Sequence, residues 1–368
     1  MRIYQTTGRI VYAILFTLLL FNASALQAHN QASLSLLERS INPGEKQKFP
    51  FLIEQTFDAD YVNMPVYVAH GLQAGHRLCV TAGIHGDEIN GSEIARRAFS
   101  KIDPLSLRGT VIMLPMINTT GMRNGERYMP DRRDLNRHFP GSYDGSIASI
   151  VARATFDLVT THCDTLIDLH TGSFMRANAP QIRVTNKKPE ALTLARNFGS
   201  GIIIFGDGPR GSLRREASES GLTAIIYEAA GPHVFDVETA DVGVHGLLNA
   251  MSHLEMLPGD SPEIPDSQVY LRTTWERVPL GAGGYFFPEV TLGTKVRTGQ
   301  RLGYLVSPMD NETTVVSASQ DGIIIGMARP QIVLSGYALF HLGLEGQSGK
   351  LTEKELREQD RANALTDG

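Results

Sequence analysis

Between Ser33 and Glu263 the chain alternates short runs rich in Val, Ile and Leu with longer stretches of helical pattern, and this alternation constrains the fold more than any other feature. The runs are Val66 to His70, Arg77 to Ala82, Thr110 to Met116, Thr165 to Leu169, Gly201 to Phe205 and Ala224 to Tyr227. Between them lie Gly91 to Ile102, Ser146 to Thr161, Pro189 to Phe198 and Val242 to Leu257, which carry apolar residues at helical spacing. Continuous apolar strands are buried on both faces, and strands separated by helices pair in parallel. The expected fold is therefore α/β, with a mostly parallel or mixed sheet covered by helices on both faces. The pattern changes after Pro258-Gly259-Asp260-Ser261-Pro262-Glu263-Ile264-Pro265, a linker signal. Beyond it come Val269 to Thr274, Arg301 to Val306, Thr313 to Ser317 and Gly322 to Gly326 with no helical stretch, which predicts a small all-β domain.

The ends are different in kind. Arg2 and Arg9 precede an apolar run from Ile10 to Phe21, and small residues follow at Ala23-Ser24-Ala25 and Ala28. A basic start, a short apolar run and a small-residue site make a secretory signal peptide, expected over 1–28. An uncleaved anchor is the alternative, but the run is short for a bilayer. The expected destination is the periplasm or the medium, with no stable membrane span after processing. At the other end, 347–368 is charged and poor in apolar residues, as a solvated tail is. The expected divisions are thus a leader at 1–28, a catalytic unit at 29–263, a β-rich unit at 264–346 and the tail. Formal net charge is -5, with no basic run interleaved with aromatics, so nucleic acid is not an expected partner. Export permits a disulfide between the two cysteines, Cys79 and Cys163. Each sits in or beside an apolar run, and two buried free thiols are the favoured expectation.

Chemistry concentrates at the ends of two strands. Val80-Thr81-Ala82-Gly83-Ile84-His85-Gly86-Asp87-Glu88 runs a buried strand into a glycine-flanked turn, and His85 and Glu88 stand three apart. At that spacing both side chains can face one site. Leu166-Ile167-Asp168-Leu169-His170-Thr171-Gly172 has the same layout. Ligands in open α/β sheets bind beyond the carboxyl ends of strands, which is where these residues fall. Two histidines and a carboxylate are a complete set for one catalytic Zn2+ ion, with a fourth position open to water. A single His at a strand end is more often a surface group; the paired arrangement is what makes the metal reading the stronger. Asp87 and Asp168 are rival carboxylates. Asp168 shares its strand face with His170, so a supporting role behind that ligand is expected.

Four ordered segments, Gly83 to Glu88, Arg127-Tyr128, Asp134-Leu135-Asn136-Arg137 and Asp168 to Thr171, resemble the succinylglutamate desuccinylase/aspartoacylase family, a branch of the zinc carboxypeptidase fold. The resemblance runs from about Ile41 to Leu257. It implies that His85, Glu88 and His170 hold the zinc. It implies that Glu228, which ends Ala224-Ile225-Ile226-Tyr227, is the general base, and that Arg127 polarises the scissile carbonyl. Asn136 and Arg137 match the pair that binds the substrate carboxylate, a task suited to a planar guanidinium. Arg214 and Arg215 offer a second anion contact that the motifs do not align. Ala229-Ala230-Gly231 departs from a more glycine-rich run in the family.

A weaker resemblance, over Val290 to Gly343 and carried by Gly293 to Gly303 and Ala318 to Ile324, is to biotinyl and lipoyl carrier domains, and it implies a flattened, barrel-like form. The hairpin segment from Ser307 to Ser319 contains no lysine, so no carrier attachment is expected. Taken together the expectation is an exported zinc metallohydrolase, a deacylase that cleaves the amide bond of an N-acyl amino acid or small peptide with a free carboxylate. Its rivals are a zinc carboxypeptidase acting on cell-wall peptides, which suits the compartment, and a non-catalytic ligand-binding module, which would lack a base or a metal ligand.

Overall fold

Residues 31–55, 59–185, 187–259, 264 and 266–344 are described by a computed structural model. The expected signal peptide, the charged tail and part of the 258–265 linker lie outside them.

Four strands form the parallel centre of the sheet: β5 (Gln73–Ala82), β6 (Arg108–Leu114), β7 (Thr165–His170) and β10 (Thr223–Ala230), in the order β10-β7-β5-β6. On the β6 side the sheet continues antiparallel through β4 (Tyr61–His70) and β3 (Glu45–Gln55). On the other side β10 pairs antiparallel with β8 (Arg176–Val184). The sequence pattern missed β3 and β8, whose polar residues mask the apolar alternation.

Alternation along each central strand explains the two cores. Leu78, Val80 and Ala82 of β5 face the same side as Val111, Met113, Ile167, Leu169, Ile225 and Tyr227. Helices α1 (Asn90–Lys101), α4 (Pro189–Phe198) and α6 (Val237–His253) cover that side with Ile94, Phe198 and Leu247 among their buried residues. Cys79, Ile112, Leu114, Leu166 and Ala224 face the opposite side, under α3 (Ile147–His162) and α5 (Leu213–Glu219). Side chains in a strand alternate with period two, so one hydrophobic run serves both faces. Local caps set where the helices begin. The Ser146 side chain accepts from Ser149 N ahead of α3, and Asp236 accepts from Thr239 N ahead of α6. The Asp236 cap starts α6 at Val237, five residues earlier than the apolar spacing alone predicts.

The expectation of free thiols at Cys79 and Cys163 is corrected: the two are joined in a disulfide, with Cα atoms 5.7 Å apart. Cys163 follows the last turn of α3, which lies on the face that Cys79 points to. Packing that helix on its strand brings the sulfurs together, a distance that spacing in sequence does not reveal.

The C-terminal region is antiparallel β, and it is continuous with the α/β sheet rather than merely packed on it. The first half of β8 pairs with β17 (Gly322–Ala328), which leads on to β19 (Ala338–Leu344) and β12 (Thr273–Arg277). The second half of β8 pairs with β9 (Ile202–Phe205), which takes β11 (Gln268–Tyr270) as its parallel neighbour. The sheet therefore forks at β8. A four-stranded sheet of β13 (Gly284–Pro288), β15 (Arg301–Val306), β16 (Thr313–Ser317) and β18 (Gln331–Val333), in the order β16-β15-β13-β18, closes over Phe286, Leu305, Ile324 and Phe340.

Candidate metal and substrate site

On the α3 side of the sheet, the apolar face of the central strands turns polar toward their carboxyl ends. Leu166 is followed on that face by Asp168 and His170, and Ala224 by Ile226 and Glu228. Parallel register sets Glu228 directly beside His170, and Asp168 beside Thr81 and Ile226. His85 and Glu88 arrive from the turn after β5. Gly86 between them passes so close to α2 (Thr119–Asn124) that a Cβ would sit 2.2 Å from the Gly121 carbonyl carbon. Only glycine allows that approach.

His85, Glu88 and His170 converge, each buried, with ligand atoms within 4.8 Å of one another. Both histidines turn Nδ1 toward Glu88, at 2.8 Å in each case. Their Nε2 atoms meet carboxylates, Asp134 at 3.1 Å for His85 and Asp168 at 2.9 Å for His170. Asp168 is fully buried and also accepts from Thr81 Oγ1 at 2.7 Å. A carboxylate on Nε2 favours the tautomer with its proton there, which leaves the Nδ1 lone pair for a metal. Two imidazoles and a carboxylate with carboxylates behind them thus fit a zinc ion in their donor chemistry. Asp87, the other rival carboxylate, is buried but lies outside the trio, where burial and the neighbouring Glu88 push its carboxyl above the usual range.

Electrostatics bind the cluster. Burial opposes charge on Glu88, but His85 and His170 outweigh it and hold the carboxyl well below its ordinary value. For His170 burial is again the opposing effect, and Asp168 and Glu88 outweigh it, raising the imidazole well above the usual histidine range. Asp134 is held low despite burial, chiefly by its hydrogen bond to His85.

Arg127 is buried beside the trio. Its Nη1 donates to Glu88 Oε1 at 3.1 Å and to Ser173 Oγ, and its Nη2 donates to Asp134 at 3.1 Å. Burial works against its charge, and Glu88 and Asp134 more than compensate. Glu228 accepts from Asn178 Nδ2 at 2.7 Å, and Arg183 Nε lies 3.4 Å away, an ion pair rather than a well-formed hydrogen bond. Asn136 Oδ1 accepts the Leu213 backbone N–H at 2.9 Å, which orients the amide. Arg137 lies next to it, beneath Gly211, where a Cβ would come 2.4 Å from the Arg137 carbonyl oxygen. Gly211 has φ 81°, so its lack of a side chain serves both the turn and the close approach.

All seven residues expected from sequence (His85, Glu88, Arg127, Asn136, Arg137, His170 and Glu228) line one cleft. Arg214 lines it too, whereas Arg215 turns aside to Glu219 at 3.0 Å and the Gly208 carbonyl. Sequence reasoning missed Ser173, Arg176, Asn178, Arg183 and Trp275. Asp134 stood inside a quoted motif without a role; its hydrogen bond to His85 was the missing information. No sequence signal marks Trp275, which reaches the cleft from β12 through the C-terminal branch of the sheet. Ala230, in the segment that departs from the family pattern, takes φ 62°, a left-handed conformation that glycine adopts without strain.

A family model described as the succinylglutamate desuccinylase/aspartoacylase catalytic domain matches residues 74–254. The chain is 24% identical over 335 residues to the N-alpha-acetyl-L-2,4-diaminobutyric acid deacetylase of Halomonas elongata, covering 81% of this chain and 96% of that protein. A succinylglutamate desuccinylase/aspartoacylase from Rhodobacter sphaeroides shares the fold at TM-score 0.76 and 22% identity, over 87% of this chain and 100% of that one. The product-bound ectoine utilization protein EutE (DoeB) of Ruegeria pomeroyi does so at TM-score 0.74 and 21% identity, over 83% and 98%. Residues 74–254 are thus a catalytic domain of the succinylglutamate desuccinylase/aspartoacylase family, a family of deacylases.

Proposed function

We propose that this chain is an exported, zinc-dependent amidohydrolase that cleaves the amide bond of an N-acyl amino acid or small peptide carrying a free carboxylate. The observation that carries the reading is the register of Glu228 beside His170 in a cleft where His85, Glu88 and His170 already converge. A ligand set with a carboxylate next to it, on the adjacent strand, is the arrangement hydrolysis needs; a binding module has no use for the carboxylate.

His85, Glu88 and His170 would hold the ion. Zinc at such a site supplies an acidified water and a Lewis acid for the carbonyl. Glu228 takes the proton of the attacking water and returns it to the leaving nitrogen. Asn178 and Arg183 hold its carboxylate in place for both transfers. Arg127, fixed by Glu88, Ser173 and Asp134, presents a guanidinium to the developing oxyanion. Arg137 and Asn136, with Arg214 alongside, anchor the substrate carboxylate and align the scissile bond. The cleft is lined by five arginines against the carboxylates Glu88 and Glu228, an excess of positive charge that suits anionic substrates.

Export is supported by the leader pattern in 1–28 and by the Cys79–Cys163 disulfide, a bond that persists in oxidising compartments. The test of function is hydrolysis of a panel of N-acyl amino acids, N-acetyl diaminobutyrate among them, beside murein peptides, together with metal analysis. Glu228→Gln is expected to abolish turnover while zinc is retained. Unchanged turnover in that variant would refute the base, and activity on peptides alone would refute the deacylase reading. Mass spectrometry of the N-terminus after fractionation tests export; an intact leader in the cytoplasm would defeat it.

A further inference from the structure

The segment between His170 and β8 turns through Phe174 and Met175, and the Arg176 backbone N–H closes that turn on the Ser173 carbonyl oxygen at 3.1 Å. Phe174 and Met175 are consecutive non-glycine residues at φ 53° and 58°, in the left-handed region. L side chains are crowded there, and such conformations persist only where surrounding structure imposes them. Beyond the turn's own hydrogen bond, further restraint comes from the C-terminal β region. The Tyr337 hydroxyl donates to the Phe174 carbonyl oxygen. The Met175 carbonyl oxygen accepts from the backbone N–H of Arg329 at 2.9 Å and from Gln331 Nε2 at 3.2 Å. All three donors are more than 150 residues away in the chain, and they engage both left-handed residues.

What the segment carries is the wall of the site. Ser173 Oγ donates to Glu88 Oε1 at 3.0 Å and accepts from Arg127. The Phe174 ring lies 5.1 Å from the Arg127 guanidinium. Arg176, which lines the cleft, bonds the Ser173 carbonyl at 3.1 Å and sits among the rings of Phe174, Trp275 and Tyr337 at 5.1 to 5.8 Å. A change in backbone at Phe174 and Met175 would move Ser173 relative to Glu88, and Arg176 relative to Trp275.

We propose that Tyr337 and Gln331, with the Arg329 backbone, are positioning residues: they clamp the 171–176 segment in the shape that holds Ser173, Phe174 and Arg176 in the site. This gives the C-terminal β region an indirect part in the reaction, through the residues that its clamp holds. The proposal rests on the hydrolase reading for its kinetic consequence, not for its structural one.

Trp275 is the only tryptophan of the chain, and its ring is 5.1 Å from the Arg176 guanidinium. Its fluorescence therefore reports the clamped state without any substrate. The experiment compares wild type with Tyr337→Phe, which keeps the ring and removes the hydroxyl, and with Gln331→Ala. Acrylamide quenching of Trp275 is expected to rise in one or both variants at an unchanged urea midpoint. On the best substrate of the panel, kcat is expected to fall about fivefold, the worth of one hydrogen bond, while KM stays within about twofold. A structural role alone would lower the urea midpoint and leave kcat per folded molecule intact, and that result overturns the proposal. So does quenching that is unchanged in both variants. Should wild type turn over nothing on the panel, the hydrolase reading fails, and the quenching comparison still decides the clamp.

Discussion

Replacing His341 by phenylalanine should remove a defined part of the acid sensitivity of the fold. His341 is buried in β19, stacks on Trp275 with centroids 4.3 Å apart and planes 4° off parallel, and has no hydrogen-bond partner for either ring nitrogen among the described residues. Burial, then the charges of Arg183 and Arg176, hold its imidazole well below the usual histidine value. The unfolded chain, with an ordinary value near ~6.5, therefore binds the proton first as pH falls. The stability that the neutral imidazole preserves is complete above that value and is lost below it. A histidine that stays neutral in the folded state through pH 5.5 costs about 1.4 kcal/mol of stability between pH 7.5 and 5.5. Urea denaturation at those two pH values, with chelator present in both, measures the loss. His341→Phe keeps a flat ring against Trp275 and has no proton to bind. Its loss over the same interval should be smaller than that of wild type by about 1.4 kcal/mol. Any offset from the larger ring acts equally at both pH values and cancels in the difference. Identical pH dependence in the two proteins would refute the reasoning.

Other consequences can be checked separately. Asp168→Asn keeps the shape of the contact with His170 and Thr81 but removes its charge, and should weaken zinc binding by about 10- to 100-fold in competition with a chromogenic chelator; unchanged affinity would show that Asp168 is only structural. Arg137→Ala should raise KM about tenfold or more for a carboxylate substrate, with little change for the matching amide, in steady-state assays. Joint replacement of Cys79 and Cys163 by alanine opens a loop with a sequence separation of 84. It should cost about 2–4.5 kcal/mol in urea unfolding, and a loss below about 1 kcal/mol would contradict a bond that restrains the unfolded chain.

Much of the fold could be read along the chain because it rests on local periodicity. Helical spacing located α1, α3 and α4, and apolar runs located β5, β6, β7 and β10. The segment with His85 and Glu88 and the segment with Asp168 and His170 were visible for the same reason: each ends or directly follows an apolar strand, and the carboxyl ends of parallel strands lie along one edge of the sheet. Strands β3 and β8 were hidden because their exposed or site-facing positions carry Lys, Glu, Asn and Arg.

The rest was decided by contacts between residues far apart in sequence. Whether Cys79 meets Cys163 depends on how α3 lies on its sheet face, and spacing says nothing of that. Arg176, Asn178 and Arg183 become site residues only because β8 pairs with β10 beside Glu228. Trp275 enters the cleft only because the sheet forks at β8 and carries the C-terminal strands back toward the cleft that His85, Glu88 and His170 line. A strand shows its own alternation in sequence, but its neighbour is chosen by hydrogen bonding and packing across the whole sheet. The sequence by itself therefore determined the class of fold and singled out His85, Glu88 and His170, whereas only the tertiary structure decided the disulfide, the arginines around those three residues and the distant β region whose hydrogen bonds reach the neighbouring loop.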